Sequence, residues 1–266
     1  MTIRPLVAGV DFSGARDAGK HIWIAEGTPT PDGVRIDTLP RVDTLPTGGA
    51  AFEEAMTGLC DRLASLTDSI VGLDFPFSIP ADLIEQTTWL AFVRDFADRY
   101  STPQEFRDRC RSQTDGKELK RYTDIEAKVP WCAYNLRLYR QTWAGIRHVL
   151  APLISGKRAR VIPIQSPRDG LPVIAEICPA SFLKREGLYF PYKGRGPELQ
   201  KARSRILTEL AKRKCLVPLR GKLRRTMIED IGGDALDAAL SAICAAQVTD
   251  ISPRSRNDRL ECRVYF

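Results

Sequence analysis

The chain is short of histidine. Only His21 and His148 occur among 266 residues, which excludes a histidine-rich zinc site. A Ser-His-Asp triad would have to use one of the two, and neither has a nucleophile elbow nearby. His148 lies in Ile146-Arg147-His148-Val149-Leu150, where a helix gives it a structural place. His21 starts a strand after a turn and is expected to be solvated. The seven cysteines form no Cys-x-x-Cys pair and their number is odd. That argues against a disulfide framework or a thiolate zinc site, and for reduced thiols in a cytoplasmic protein. No apolar run approaches the roughly 20 residues of a bilayer span, so no membrane partner is expected. The basic start and long apolar segment of a secretion signal are also missing. A Walker-type phosphate loop is absent as well. Chemistry in such a chain rests on carboxylates.

What is present suits a folded α/β protein. Hydrophobic residues make up 43% and charged residues 27%, which favours a globular core over disorder. Two apolar runs, Leu6-Val7-Ala8-Gly9-Val10-Asp11-Phe12 and Ile70-Val71-Gly72-Leu73-Asp74-Phe75, read as buried strands ending in Gly-x-Asp-Phe. Strand side chains alternate faces, so Gly9 shares a face with Asp11, and Gly72 with Asp74. The glycines are expected to leave open space beside both acids. If the two strands are parallel neighbours, about 5 Å apart, their carboxylates repel unless one is protonated or a cation lies between them. Mg²⁺ or Mn²⁺ suits such oxygen donors.

Strands are expected at 6–11, 20–26 and 33–39, a helix at 50–66 and a strand at 69–74, giving the order β-β-β-α-β. Residues 81–152 read as a mostly helical insertion that interrupts a core formed by 1–80 and 153–266. Tyr100-Ser101-Thr102-Pro103 marks a helix start within it. Trp131, Tyr134, Leu138, Trp143, Ile146 and Leu150 suit core-facing positions, with base stacking as the alternative for the Tyr and Trp residues. Arg121-Tyr122-Thr123-Asp124 borders the expected site. Further strands are expected at 159–164 and 172–178, helices at 197–214 and 233–247, and a terminal strand at 260–266. Glu176 lies inside the apolar run 172–178 and requires a partner, either a metal ion or an Arg or Lys.

Net charge is +7, with the excess concentrated in residues 201–225. Lys212, Arg213, Lys214, Arg220, Lys222, Arg224 and Arg225 are candidates to contact a nucleic-acid backbone; a solvated helix face is the plain alternative. A last acidic element, Gly232-Gly233-Asp234-Ala235-Leu236-Asp237, puts Asp234 and Asp237 on one helix face near a helix start. Its alanines make a slim helix able to pack close to a sheet.

Taken in order, Gly9-Val10-Asp11-Phe12-Ser13-Gly14, Gly72-Leu73-Asp74-Phe75-Pro76 and Asp234-Ala235-Leu236-Asp237-Ala238 resemble the ribonuclease-H-like superfamily, notably its Holliday-junction-resolvase branch. The chain is most similar to the DUF429 family, whose members are predicted nucleases of that fold. Glu176-Ile177-Cys178-Pro179-Ala180 and Tyr192-Lys193-Gly194 look like further family segments. The resemblance implies an α/β fold with a mixed five-stranded sheet in the order 3-2-1-4-5, flanked by helices. It implies phosphodiester hydrolysis with Asp11 bridging two metal ions, Asp74 and Asp237 each fixing one, and Asp234 assisting. Glu176 would be a further acid, and Lys193 would stabilise phosphate charge. Relatives in the resolvase branch dimerise, which makes a homodimer an option; no segment marks an interface. Two other functions stay open: ATP-dependent phosphotransfer of the actin and sugar-kinase kind, and a non-catalytic module that binds structured nucleic acid.

Overall fold

Residues 4–266 are described by a computed structural model; residues 1–3 of the expected core segment lie outside the described residues. Strand β1 (Leu6–Asp11) pairs antiparallel with β2 (Trp23–Thr30), which pairs antiparallel with β3 (Gly33–Thr38). β2 runs past the expected turn at Gly27 because the hairpin closes later, at Thr30↔Gly33. β1 leaves β2 at Gly27, so Pro29 faces no strand on that side and its missing N–H costs no ladder bond. Helix α1 (Phe52–Ser65) then returns the chain to β4 (Ser69–Asp74), parallel to β1. A strand, helix, strand passage of this kind favours a parallel return. The register places Gly9 beside Gly72 and Asp11 beside Asp74.

The insertion carries α2 (Trp89–Arg99), α3 (Pro103–Ser112), α4 (Tyr122–Glu126), α5 (Tyr139–Gly145), a π-helical stretch Ile146–Leu150 and α6 (Ala151–Ser155). α3 begins as the sequence indicates: Thr102 Oγ1 accepts the Glu105 N–H at 3.1 Å and Pro103 takes the first helical position, where its missing donor is harmless. β5 (Arg160–Val161) and β6 (Val173–Ile177) follow, then α7 (Pro179–Arg185), α8 (Pro197–Lys212), α9 (Gly221–Glu229), α10 (Asp234–Ala246), α11 (Arg256–Glu261) and β7 (Val264–Tyr265).

The described residues form one mixed sheet of seven strands, ordered β3-β2-β1-β4-β6-β5 with β7 also on β6. This corrects the expected five. The two additional strands are two-residue pieces that share the outer edge of β6, β5 at Val173–Ile174 and β7 at Glu176–Ile177. The broad strands expected at 159–164 and 260–266 shrink to them, because the chain turns after Val161 and because α11 occupies Arg256–Glu261.

Each face of the sheet carries its own core. Ala8, Val10, Val71, Leu73 and Ile174 pack against α1 and the insertion. Val7, Ile70, Val173, Ala175 and Ile177 pack against α7, α8 and α10. Strand alternation therefore puts Gly9, Asp11, Gly72 and Asp74 on the α10 side, and Glu176, in register with Leu73, on the insertion side. Tyr134, Ile146 and Leu150 are buried as expected, whereas Trp131 is 38% exposed. Among the described residues no helix is long and apolar enough to cross a membrane.

Candidate metal centre

The site forms at the C-terminal ends of β1 and β4, where α10 crosses them. The space beside the two aspartates is not open, contrary to the sequence expectation. A Cβ at Gly9 would lie 2.0 Å from Ala242 N and 2.2 Å from Ala238 O; one at Gly72 would lie 2.7 Å from Ser241 O. The glycines thus admit the backbone of α10 directly onto the strands, and Ala238 and Ala242 keep the helix slim on that side. Gly233, at φ +76°, precedes the helix, and a side chain there would crowd Tyr192 at 3.0 Å. Asp230 Oδ2 accepts the Ala235 N–H at 2.9 Å and fixes the helix start. This close approach delivers Asp237, one turn into α10, to the strand ends.

Asp11, Asp74 and Asp237 each offer an oxygen, and the three atoms lie within 4.8 Å of one another. Asp11 and Asp237 are buried and Asp74 is half-buried. Burial, followed by repulsion from Asp237, holds Asp11 well above the usual carboxylate range. The same two causes push Asp74 up to about 8. Asp237 accepts from Tyr192 Oη at 2.6 Å on Oδ1 and from Lys193 Nζ at 2.6 Å on Oδ2. Burial works against the charge of Lys193, but Asp237 and then Asp11 hold it protonated. With all three acids ionised, three carboxylates against one ammonium leave two negative charges, and a divalent ion would balance them in place of the protons that Asp11 and Asp74 otherwise keep. The all-oxygen donor set fits Mg²⁺ or Mn²⁺. Lys193 sits at the edge of this cluster with its side chain 52% exposed, where it would compete with an incoming ion for Oδ2.

The loop that carries Tyr192 and Lys193 is clamped by Arg203. This buried side chain donates to Tyr192 O, to Gly194 O at 3.3 Å and to Ile228 O at 2.8 Å. One arginine of the basic stretch is therefore scaffolding for the site. Asp234 folds its carboxylate back over Gly232 and lines the cleft outside the three-aspartate cluster. Burial pushes it up to about 6 despite the nearby Lys193.

Glu176 does not join the three aspartates. It projects from the other face of the sheet, where the Arg121 guanidinium spans it and Asp124. Arg121 Nη1 donates to Glu176 Oε2 at 2.9 Å and Nη2 to Asp124 Oδ1 at 2.6 Å. The Phe77 N–H adds a bond to Glu176 Oε2 at 3.0 Å. Of the two partners expected for this acid, the fold supplies the arginine. Burial raises the Glu176 pKa and Arg121 opposes the rise.

A cleft of about 810 Å³ opens above the aspartates. Trp131 and Tyr189 stand in its walls, with Arg137 4.8 Å over the Trp131 ring and Lys184 4.9 Å over that of Tyr189. Trp131 therefore belongs to the cleft and not to the core. None of Lys212, Arg213, Lys214, Arg220, Lys222, Arg224 and Arg225 lines it. Lys212, Arg213 and Lys214 pair with Glu209, Glu186 and Asp32, and Arg224 donates to Ser204 Oγ at 2.8 Å. Arg220, Lys222 and Arg225 are exposed. Sequence reasoning missed Tyr192 as a site residue and favoured the core for Trp131, with base stacking as its alternative. The available signal was their position, one beside Lys193 in a short loop and the other seven residues from Asp124.

Fold and site define an α/β protein with a buried three-aspartate cluster that could hold a divalent cation. No family model, no curated protein and no solved structure matches this chain.

Proposed function

We propose that the protein is a metal-dependent nuclease of the ribonuclease-H-like, DUF429 kind that hydrolyses phosphodiester bonds with Mg²⁺ or Mn²⁺. The observation that carries this is the convergence of Asp11, Asp74 and Asp237, from two strands and a helix, within 4.8 Å. Asp11, Asp74 and Asp237 would hold one or two divalent ions, which would supply an activated water and steady the leaving oxygen. The chain's own residues do the rest. Asp11 would be the bridging ligand that the family resemblance implies. Tyr192 and the α10 backbone fix the orientation of Asp237. Lys193, once released from Asp237, is placed to neutralise a phosphate oxygen.

The walls of the cleft support a nucleic-acid substrate, since Trp131 and Tyr189 offer ring faces beside cations, the combination that unpaired bases use. Arg220, Lys222 and Arg225 would add backbone contacts away from the cleft. The described residues form one sheet, whereas enclosing a nucleotide in the actin and sugar-kinase manner takes two such cores. A cytoplasmic setting and a homodimer accompany this assignment as proposals. The Lys193–Asp237 pair favours a second reading, a binding module that has kept the acids for folding. Asp11→Asn separates the two. The nuclease loses Mg²⁺- or Mn²⁺-dependent cleavage of DNA and RNA while keeping a cooperative unfolding transition. A wild-type protein that binds nucleic acid but cleaves none under either metal would be the module.

A further inference from the structure

A second cleft, of about 890 Å³, lies between α2, α6 and the strand β5. Five cations line it, Arg94, Arg147, Lys157, Arg160 and Arg168, and no carboxylate does. None of the five enters a salt bridge among the described residues, whereas arginines elsewhere such as Arg62, Arg99, Arg121, Arg158 and Arg263 do. Arg160 Nε is shielded from solvent and has no hydrogen-bond acceptor among the described residues. A buried donor left this way requires an acceptor from elsewhere. Arg147, by contrast, is anchored: its Nη1 donates to Tyr100 O at 3.3 Å and to Ala97 O at 2.5 Å, which fixes the position of one charge. The remaining wall is mostly apolar, with Leu90, Val93, Pro152 and Ile154 beside the polar Ser155 and Gln165.

The location separates this cleft from the aspartates. Arg160 is in register with Val173, and Val173 with Ile70, four residues before Asp74. At about 3.3 Å per residue this places Arg160 roughly 13 Å back along the strands, toward their N-terminal ends. The two clefts share no lining residue.

Five cations around one cleft, with no acid among its lining residues, attract a compact ligand with several negative charges. Guanidinium groups, four of the five, bind phosphate oxygens in bidentate fashion and also lie flat on planar rings. A single inorganic phosphate would leave most of the volume and the apolar wall unused. We propose that this cleft binds a nucleoside polyphosphate, its phosphates among Arg94, Arg147, Lys157, Arg160 and Arg168 and its base against Leu90, Val93 and Ile154. The site does not depend on the aspartate cluster or on its proposed activity.

Calorimetric titration of the full chain with ATP tests this, run in EDTA so that no divalent ion can bridge the nucleotide to the aspartates. Saturable binding is expected. The variant Arg94→Glu/Lys157→Glu changes two exposed, unpaired side chains, so it should fold, and it should weaken ATP by about tenfold or more. Arg160→Met should weaken it similarly. Adenosine should bind far more weakly than ATP, and inorganic triphosphate several-fold more weakly. The proposal is overturned if the wild type shows no saturable binding or if the double variant binds as tightly as the wild type. It is also overturned if inorganic triphosphate matches ATP, or if a short oligonucleotide displaces ATP at lower concentration than ATP itself requires.

Discussion

Asp237 is a buried carboxylate held by its neighbours. Both its oxygens are engaged, one by Tyr192 and one by Lys193, so its position is set before any ion arrives. Groups that orient a metal ligand in this way typically account for 10- to 100-fold in affinity. Tyr192→Phe should therefore weaken Mn²⁺ binding by about tenfold while leaving the fold intact, as read by titration of Mn²⁺ against protein; unchanged affinity would show that the hydroxyl contributes nothing to the ligand. Arg121 has the opposite character. It neutralises Glu176 and Asp124 in a buried network, and Arg121→Ala should cost about 3–5 kcal/mol of stability, measured by denaturant unfolding, because two carboxylates lose their partner. The aspartates could be picked out from sequence because each ends a strand or opens a helix. Their protein partners could not, since Lys193–Asp237 and Arg121–Glu176 span 44 and 55 positions and depend on which face each strand presents.

At the scale of elements, the contact of α10 with β1 and β4 builds the site. The local pattern showed the two Gly-x-Asp strands, α1, α8 and the alanine-rich α10 with ends close to those observed. It showed the glycines too, but not what fills the space beside them, because a helix packed on a glycine leaves no mark in the strand's own sequence. Gly9→Ala is the direct probe. A methyl group 2.0 Å from Ala242 N forces the helix away from β1, and overpacking of this kind costs about 3 kcal/mol or more. The expected outcome is a lowered unfolding midpoint together with weakened Mn²⁺ binding, since Asp237 moves with the helix. A variant as stable as the wild type would mean that α10 is not seated as described. The placement of Glu176 was out of reach for a related reason: the parity that sends it to the insertion side follows from its register with Leu73, which only the assembled sheet defines. The edge strands β5 and β7 are two residues each, too short for periodicity to register.

Across the whole molecule, the sheet separates two polar regions, with aspartates at the C-terminal strand ends and unpaired cations toward the N-terminal ends. The net charge of +7 conceals this division, and the clustering of Arg94, Arg147 and Arg160 required the insertion to fold back on β5. The aspartates also give the metal-free protein a characteristic pH dependence. Burial and the Asp237 charge push Asp74 up to about 8 from an ordinary 3.8, and Asp11 is raised as well. The folded state therefore keeps protons that the unfolded chain has released, and stability falls as pH rises through the interval between those values. Thermal unfolding in EDTA should shift to lower temperature from pH 5 to pH 8, and Mn²⁺ should restore the midpoint at the alkaline end. A midpoint insensitive to both would contradict the charge balance assigned to the site. The most direct test of the central claim is anomalous diffraction from crystals soaked in Mn²⁺ near neutral pH. The account predicts a peak ligated by Asp11, Asp74 and Asp237, with Lys193 displaced from Asp237. Absence of a peak at saturating Mn²⁺, with Lys193 still paired to Asp237, would contradict it.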